Sequence, residues 1–144
     1  MVKIGLLNGP NLDRLGKREP EIYGIETLAG IEEHLISVAN GLGCELFTYH
    51  SNHEGNLIDK IHEWSDSGFA GLIINPGGFT HTSVALRDAI VASDLSTVEV
   101  HLSNIHSRED FRHKSLISGV VKGVIAGIGA KGYEYALKFL AGEV

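Results

Sequence analysis

Five short runs rich in β-branched and aliphatic residues recur through the chain, separated by segments with the spacing of amphipathic helices. The runs are "VKIGLLN" (2 to 8), "CELFTYH" (44 to 50), "FAGLIIN" (69 to 75), "STVEVHL" (96 to 102) and "GVIAGIG" (123 to 129). Each reads as a strand. Leu28, Ile31, Leu35, Val38 and Leu42 mark a first helix, and Leu57, Ile58, Ile61 and Trp64 a second. "TSVALRDAIVAS", with Thr82 or Ser83 as N-cap, supplies a third, and "YEYALKFL" closes the chain. Strands that alternate with helices pair in parallel and are covered on both faces. The connection from 103 to 119 is polar and holds at most a short helix around "SREDFR".

With 144 residues, 43% of them hydrophobic, the chain has material for one core, so residues 1 to 144 are expected to form a single domain. Twelve basic against eighteen acidic residues give a formal charge of -6, which disfavours nucleic acid or an anionic membrane as partner. An anionic substrate would then need a locally basic pocket. The single cysteine, Cys44, cannot form an internal disulfide, and "MVKIGLLNG" moves straight into a strand pattern without a leader. Both features fit a reduced cytoplasm. No apolar run approaches the ~20 residues of a membrane-spanning helix.

Five such strands suggest the small doubly wound, flavodoxin-like arrangement, an α/β fold with a parallel sheet and helices on both faces. Ligands bind such sheets outside the carboxyl ends of the strands. Polar groups gather at those ends here: "NGPN" and "KREPEIYG" after the first strand, "HSNHEG" after the second, "NPGGFTH" after the third, "EVHLSN" around the end of the fourth and "GIGAKG" after the fifth.

Each cluster has a bland alternative. "NPGGFTH" joins Asn75, two glycines and His81 ahead of a helix N-terminus that favours negative charge, yet glycine-rich turns are common. It matches neither the P-loop nor the dinucleotide fingerprint. "EVHLSN" is sharper. Glu99 and His101 are two apart in a strand and face the same side, so the carboxylate can hold one ring nitrogen and leave the other for substrate. A histidine merely satisfied within a sheet is the alternative; its position at the strand's carboxyl end, followed by Ser103 and Asn104, favours acid/base chemistry. Metal is set aside, because the histidines lack helical ligand spacing and Cys44 lies at the wrong end of its strand. Ser103 lacks the nucleophile elbow of a hydrolase. Arg108 and Arg112 would share a helical face and clamp a carboxylate; surface pairing with Glu109 and Asp110 is the alternative, and the favoured one for Arg108. Arg87 and Asp88 read by spacing as a solvated face.

Four long motifs, "LNGPNLDRLGKREPEIYG", "HSNHEGNLIDKIH", "NPGGFTHTSVALRDAI" and "EVHLSNIHSREDFRHKS", resemble in order the type II 3-dehydroquinate dehydratases of the shikimate and quinate pathways. The resemblance implies a flavodoxin-like fold, trimers assembled into a homododecamer, and no metal or organic cofactor. It implies Tyr23 as catalytic base, Arg18 as its assistant, His101 as general acid, Glu99 as the partner that orients it, and Asn11 as holder of a water against the enolate. Substrate contacts are implied for Asn75, His81, Leu102, Ser103 and Arg112, and Asp88 matches a residue that reaches a neighbouring subunit's site. Departures from the family pattern are Asp13 and Arg14 after "GPNL", Lys17 for threonine, His50 for glutamine and Phe79 for tyrosine.

The implied reaction is loss of water from 3-dehydroquinate through an enolate. A free tyrosine, with pKa ~10, is only about 0.1% ionised at pH 7. A neighbouring cation lowers such a pKa by roughly 1 to 3 units, so Arg18 would make Tyr23 a usable base. "KREPEIYG" then reads as a lid carrying that base. The other reading from the sequence is a non-catalytic flavodoxin-like module that binds a phosphate or mononucleotide at the same rim.

Overall fold

The computed structural model describes residues 1–17, 21 and 26–143. Tyr23 and Arg18 therefore lie outside the described residues, as does most of "KREPEIYG".

The strands form where the apolar runs predict them: β1 (Val2–Asn8), β2 (Cys44–His50), β3 (Gly71–Asn75), β4 (Ser96–His101) and β5 (Gly123–Ala126). They make one sheet in the order β2-β1-β3-β4-β5, with every pairing parallel. This is the flavodoxin-like order, in which the chain reverses its direction of growth between β1 and β3. The helices are α1 (Leu28–Gly41), α2 (Glu54–Asp66), α3 (Val84–Ser93) and α4 (Lys131–Glu143). Strand alternation sends neighbouring residues to opposite faces. Leu6 and Ile73 accordingly join Leu35, Val100 and Leu137 in one core, under α1 and α4. Leu7 and Ile74 join Leu57, Ile61, Trp64 and Leu86 in the other, under α2 and α3.

Three boundaries differ from the sequence expectation. β3 begins at Gly71 because Phe69 closes the preceding helix, with its N–H on the Trp64 carbonyl and its ring stacked 5.3 Å from the indole. β4 stops at His101 and β5 at Ala126, since Gly127 and Gly129 turn back to donate to the carbonyls of His101 and Leu102. Ser83, not Thr82, caps α3, its hydroxyl accepting the Leu86 N–H at 2.9 Å. Around "SREDFR" the chain forms two three-residue 3-10 turns, Ile105–Ser107 and Asp110–Arg112.

At the reversal point the turns after β1 and β3 touch. Gly9 donates to the Asn75 carbonyl at 2.8 Å, and a Cβ on Gly9 would stand 2.4 Å from the Pro76 carbonyl oxygen. Gly77 has φ +59, a conformation costly for other residues, and faces Pro10 across the same contact. Two glycines thus bring Asn11 and Asn75 to one crevice.

Candidate functional site

A cavity of ≈ 160 Å³ opens over the carboxyl ends of β1, β3 and β4. That is small beside the ~300 to 1,000 Å³ of drug-sized ligand pockets, and a second cavity of ≈ 660 Å³ adjoins it at Leu102, Ser103 and Arg108. Asn11, Asn75, His81, His101, Leu102, Ser103 and Arg112 all line it.

β4 delivers the central pair. Glu99 is wholly buried and His101 is 5% exposed, and the His101 Nε2 donates to Glu99 Oε2 at 2.5 Å. No protein partner is found for His101 Nδ1 among the described residues, so that nitrogen is available to whatever occupies the cavity. Burial pushes the Glu99 carboxyl up, but hydrogen bonds from His101, Ser118 and Thr80, together with attraction to the imidazolium, outweigh it and hold the group below its usual range. The carboxylate lies beneath the ring, and the pair is presented to the cavity from the carboxyl end of β4.

The turn after β3 supplies the opposite wall. His81 donates through Nδ1 to the Lys114 carbonyl at 2.7 Å, which fixes the ring and leaves Nε2 free of that bond. Asn75, 3% exposed, has its amide orientation set at both ends: Oδ1 accepts from the Gly77 N–H at 3.1 Å, and Nδ2 donates to the Tyr133 hydroxyl at 2.9 Å. Tyr133 donates in turn to Asn8 Oδ1 at 2.6 Å. Tyr133, in α4, escaped sequence reading because helical spacing marks it only as core. Asn11 sits in the left-handed region at φ 70, and its N–H is tied to Asn52 Oδ1 at 2.8 Å.

The arginines reverse one expectation. Arg108, for which surface pairing with Glu109 and Asp110 is favoured by sequence, lines the cavity and donates from Nη1 to Ser103 Oγ at 3.2 Å. Arg112 makes the acidic pair, Nε to Glu109 Oε2 at 2.5 Å, while also facing the cavity, and its hydrogen bond holds the Glu109 carboxyl below the usual range. The two do not share a helical face, because the chain between them is not an α-helix. Asp88 lies on the outer surface of α3, its side chain 65% exposed beside Arg87 and away from this chain's cavity. Two of the departures meet at the rim, where His50 Nε2 and Asp13 Oδ1 are 3.6 Å apart. Among the described residues no group of three or more His, Cys, Asp or Glu side chains is arranged to hold a metal ion.

Comparison with known proteins agrees over the whole fold. A family model described as Dehydroquinase class II matches residues 2–141. A 3-dehydroquinate dehydratase of Actinobacillus pleuropneumoniae is 57% identical over 145 residues, covering 100% of this chain and 93% of that protein. One from Corynebacterium pseudotuberculosis is 56% identical over 141 residues, 96% of each chain. The crystal structure of a type II dehydroquinase from Propionibacterium acnes superposes with a TM-score of 0.95 at 42% identity, covering 99% of this chain and 97% of that one.

Proposed function

Because the chain belongs to the class II dehydroquinases, we propose that it removes water from 3-dehydroquinate to give 3-dehydroshikimate, residues 1 to 144 acting as one catalytic unit. The observation that carries the reading is the buried Glu99–His101 pair presented to a small polar cavity at the carboxyl edge of β4.

In this reading Tyr23, its phenolate stabilised by Arg18, takes a proton from the carbon beside the ketone. The electron pair moves onto the ketone oxygen as an enolate, against which Asn11 holds a water. Collapse of the enolate then expels the hydroxyl beta to the ketone. His101, with Nε2 on Glu99, delivers the proton from Nδ1 that makes the leaving group water. Proton abstracted, proton donated and water lost balance without an oxidant or reductant. Positioned acid and base groups typically contribute ~10²- to 10⁴-fold each.

Asn75 and His81 orient substrate hydroxyls, and the locked amide and ring of these two residues support that use. The substrate carboxylate meets backbone N–H groups near Leu102 and Ser103, with Arg112 close by. Asp88 faces outward and serves a neighbouring site within a trimer, four trimers making a homododecamer; its exposure outside its own cavity supports this. No described helix is long and apolar enough to cross a membrane, and the lone buried Cys44 is compatible with a reducing cytoplasm, to which we assign the enzyme.

The test is to mix the protein with 3-dehydroquinate in the presence of a chelator and follow the ultraviolet absorbance of the conjugated enone product. A rise that Tyr23→Phe fails to produce supports both reaction and base. A flat trace from folded protein would sink the reading and turn attention to anion binding at the same rim.

A further inference from the structure

The Glu99 carboxylate is enclosed by hydroxyl groups from two separate segments. Thr80, in the turn after β3, donates from Oγ1 to Glu99 Oε2 at 2.7 Å. Ser118 donates to Oε1 at 2.6 Å, and Ser115 lies 3.0 Å from Oε2 and 3.3 Å from Oε1. The direction of the Ser115 bond is fixed by its other contacts. Its oxygen already accepts the backbone N–H groups of Ile117 and Ser118, both at 3.0 Å, so its one proton is free to point at the carboxylate or at Thr80 Oγ1, 3.1 Å away. Thr80 spends its own proton on Glu99, which leaves the carboxylate as the better acceptor for Ser115.

The two segments are also stitched by backbone. Leu116 N–H donates to the Thr80 carbonyl at 2.7 Å, and His81 Nδ1 to the Lys114 carbonyl at 2.7 Å. A shift of the 115–118 turn would therefore move the hydroxyls under Glu99 and the ring of His81 together.

Among the described residues no lysine or arginine is hydrogen-bonded to Glu99. In the sheet its neighbours are Ile74 on β3 and Val124 on β5. The titratable groups on the elements around it are His101 on β4, His81 after Thr80, Arg112, His113 and Lys114 before the 115–118 turn, Lys122 after it, and Arg87 and Asp88 on α3. Of these His101 alone is bonded to the carboxylate. A wholly buried carboxyl with one histidine for company would take up a proton, or take the histidine's, unless other donors stabilise the anion.

We propose that Thr80, Ser115 and Ser118 are positioning residues for the dehydration, holding Glu99 as an aligned anion so that the shared proton stays on His101. The proposal rests on the acid role given to His101 above. Without the hydroxyls the Nε2 proton passes to Glu99, and the ring faces the cavity neutral, its remaining Nδ1–H a far weaker acid toward the leaving hydroxyl.

The experiment compares the unaltered protein with Thr80→Val, Ser118→Ala and the double variant. Carboxyl-¹³C-labelled glutamate, with Glu99→Gln to assign the signal, reports the Glu99 titration in the absence of substrate. Each hydroxyl removed should raise its midpoint by about one pH unit. In the double variant, kcat should fall about tenfold while KM stays within about twofold, and Thr80→Ser or Ser118→Thr should retain the parental values. A role confined to structure would lower the melting temperature and leave the carboxyl titration in place. An unchanged Glu99 midpoint in folded double variant overturns the proposal, as does a shifted midpoint with unchanged kcat. Absence of turnover in the unaltered protein would instead overturn the reaction, and the carboxyl titration would still decide whether the hydroxyls hold the anion.

Discussion

The buried hydroxyl of Tyr133 accepts a 2.9 Å hydrogen bond from Asn75 Nδ2, so a helix at the far end of the chain sets the orientation of an amide at the cavity floor. Burial pushes the Tyr133 phenol well above its ordinary range, and the hydroxyl stays protonated across any working pH. Tyr133→Phe would leave both Asn75 Nδ2 and Asn8 Oδ1 short of a partner. We expect a loss of about 1 to 3 kcal/mol in urea unfolding and a raised KM as Asn75 loosens; an unchanged midpoint would show that water replaces the phenol without penalty.

Glu99 gives the fold a specific acid sensitivity. Its carboxyl is held below the usual range, so the stability it contributes is fully present above the unfolded pKa of ~4.3 and lost as pH falls through the lower folded value. Unfolding measured from pH 6 down to 3 should show a steeper loss of stability in the parent than in Glu99→Gln. Parallel curves would mean that other carboxylates dominate.

Tyr23→Phe should abolish turnover while substrate affinity, measured calorimetrically, changes little. Arg18→Ala should lower the rate and raise the pH at which activity appears, because in the proposed mechanism the Tyr23 phenolate would lose its cation. Lys17 stands next to it in sequence, and Lys17→Ala combined with Arg18→Ala separates the two cations.

Arg108→Ala should lower kcat/KM by roughly 10- to 100-fold, the worth of a charge-assisted hydrogen bond in a cavity. A surface arginine would leave the parameter within about twofold, so the steady-state constants decide between the two positions considered for it.

Gly9→Ala would force its methyl carbon to within 2.4 Å of the Pro76 carbonyl oxygen. The turns after β1 and β3 must then part, and we expect a loss of about 1 to 3 kcal/mol in stability together with a fall in kcat from displacement of Asn75 and Asn11. Full activity would show that the two turns give way without disturbing the crevice.

Much of this was legible in the chain by itself. Period-two and period-3.6 apolar spacing determined five parallel strands, the helices between them and the edge of the sheet at which polar groups collect, because those periodicities follow from local backbone geometry. The pairing of Glu99 with His101 was determined the same way, since residues two apart in a strand share a face. What tertiary structure alone decided lies across the chain. Tyr133 meets Asn75 and Asn8, Ser115 and Ser118 meet Glu99, and Arg108 turns inward to Ser103 while Arg112 takes Glu109. Those contacts join residues brought together by sheet order and by irregular turns, where no repeat in the sequence says which way a side chain will face.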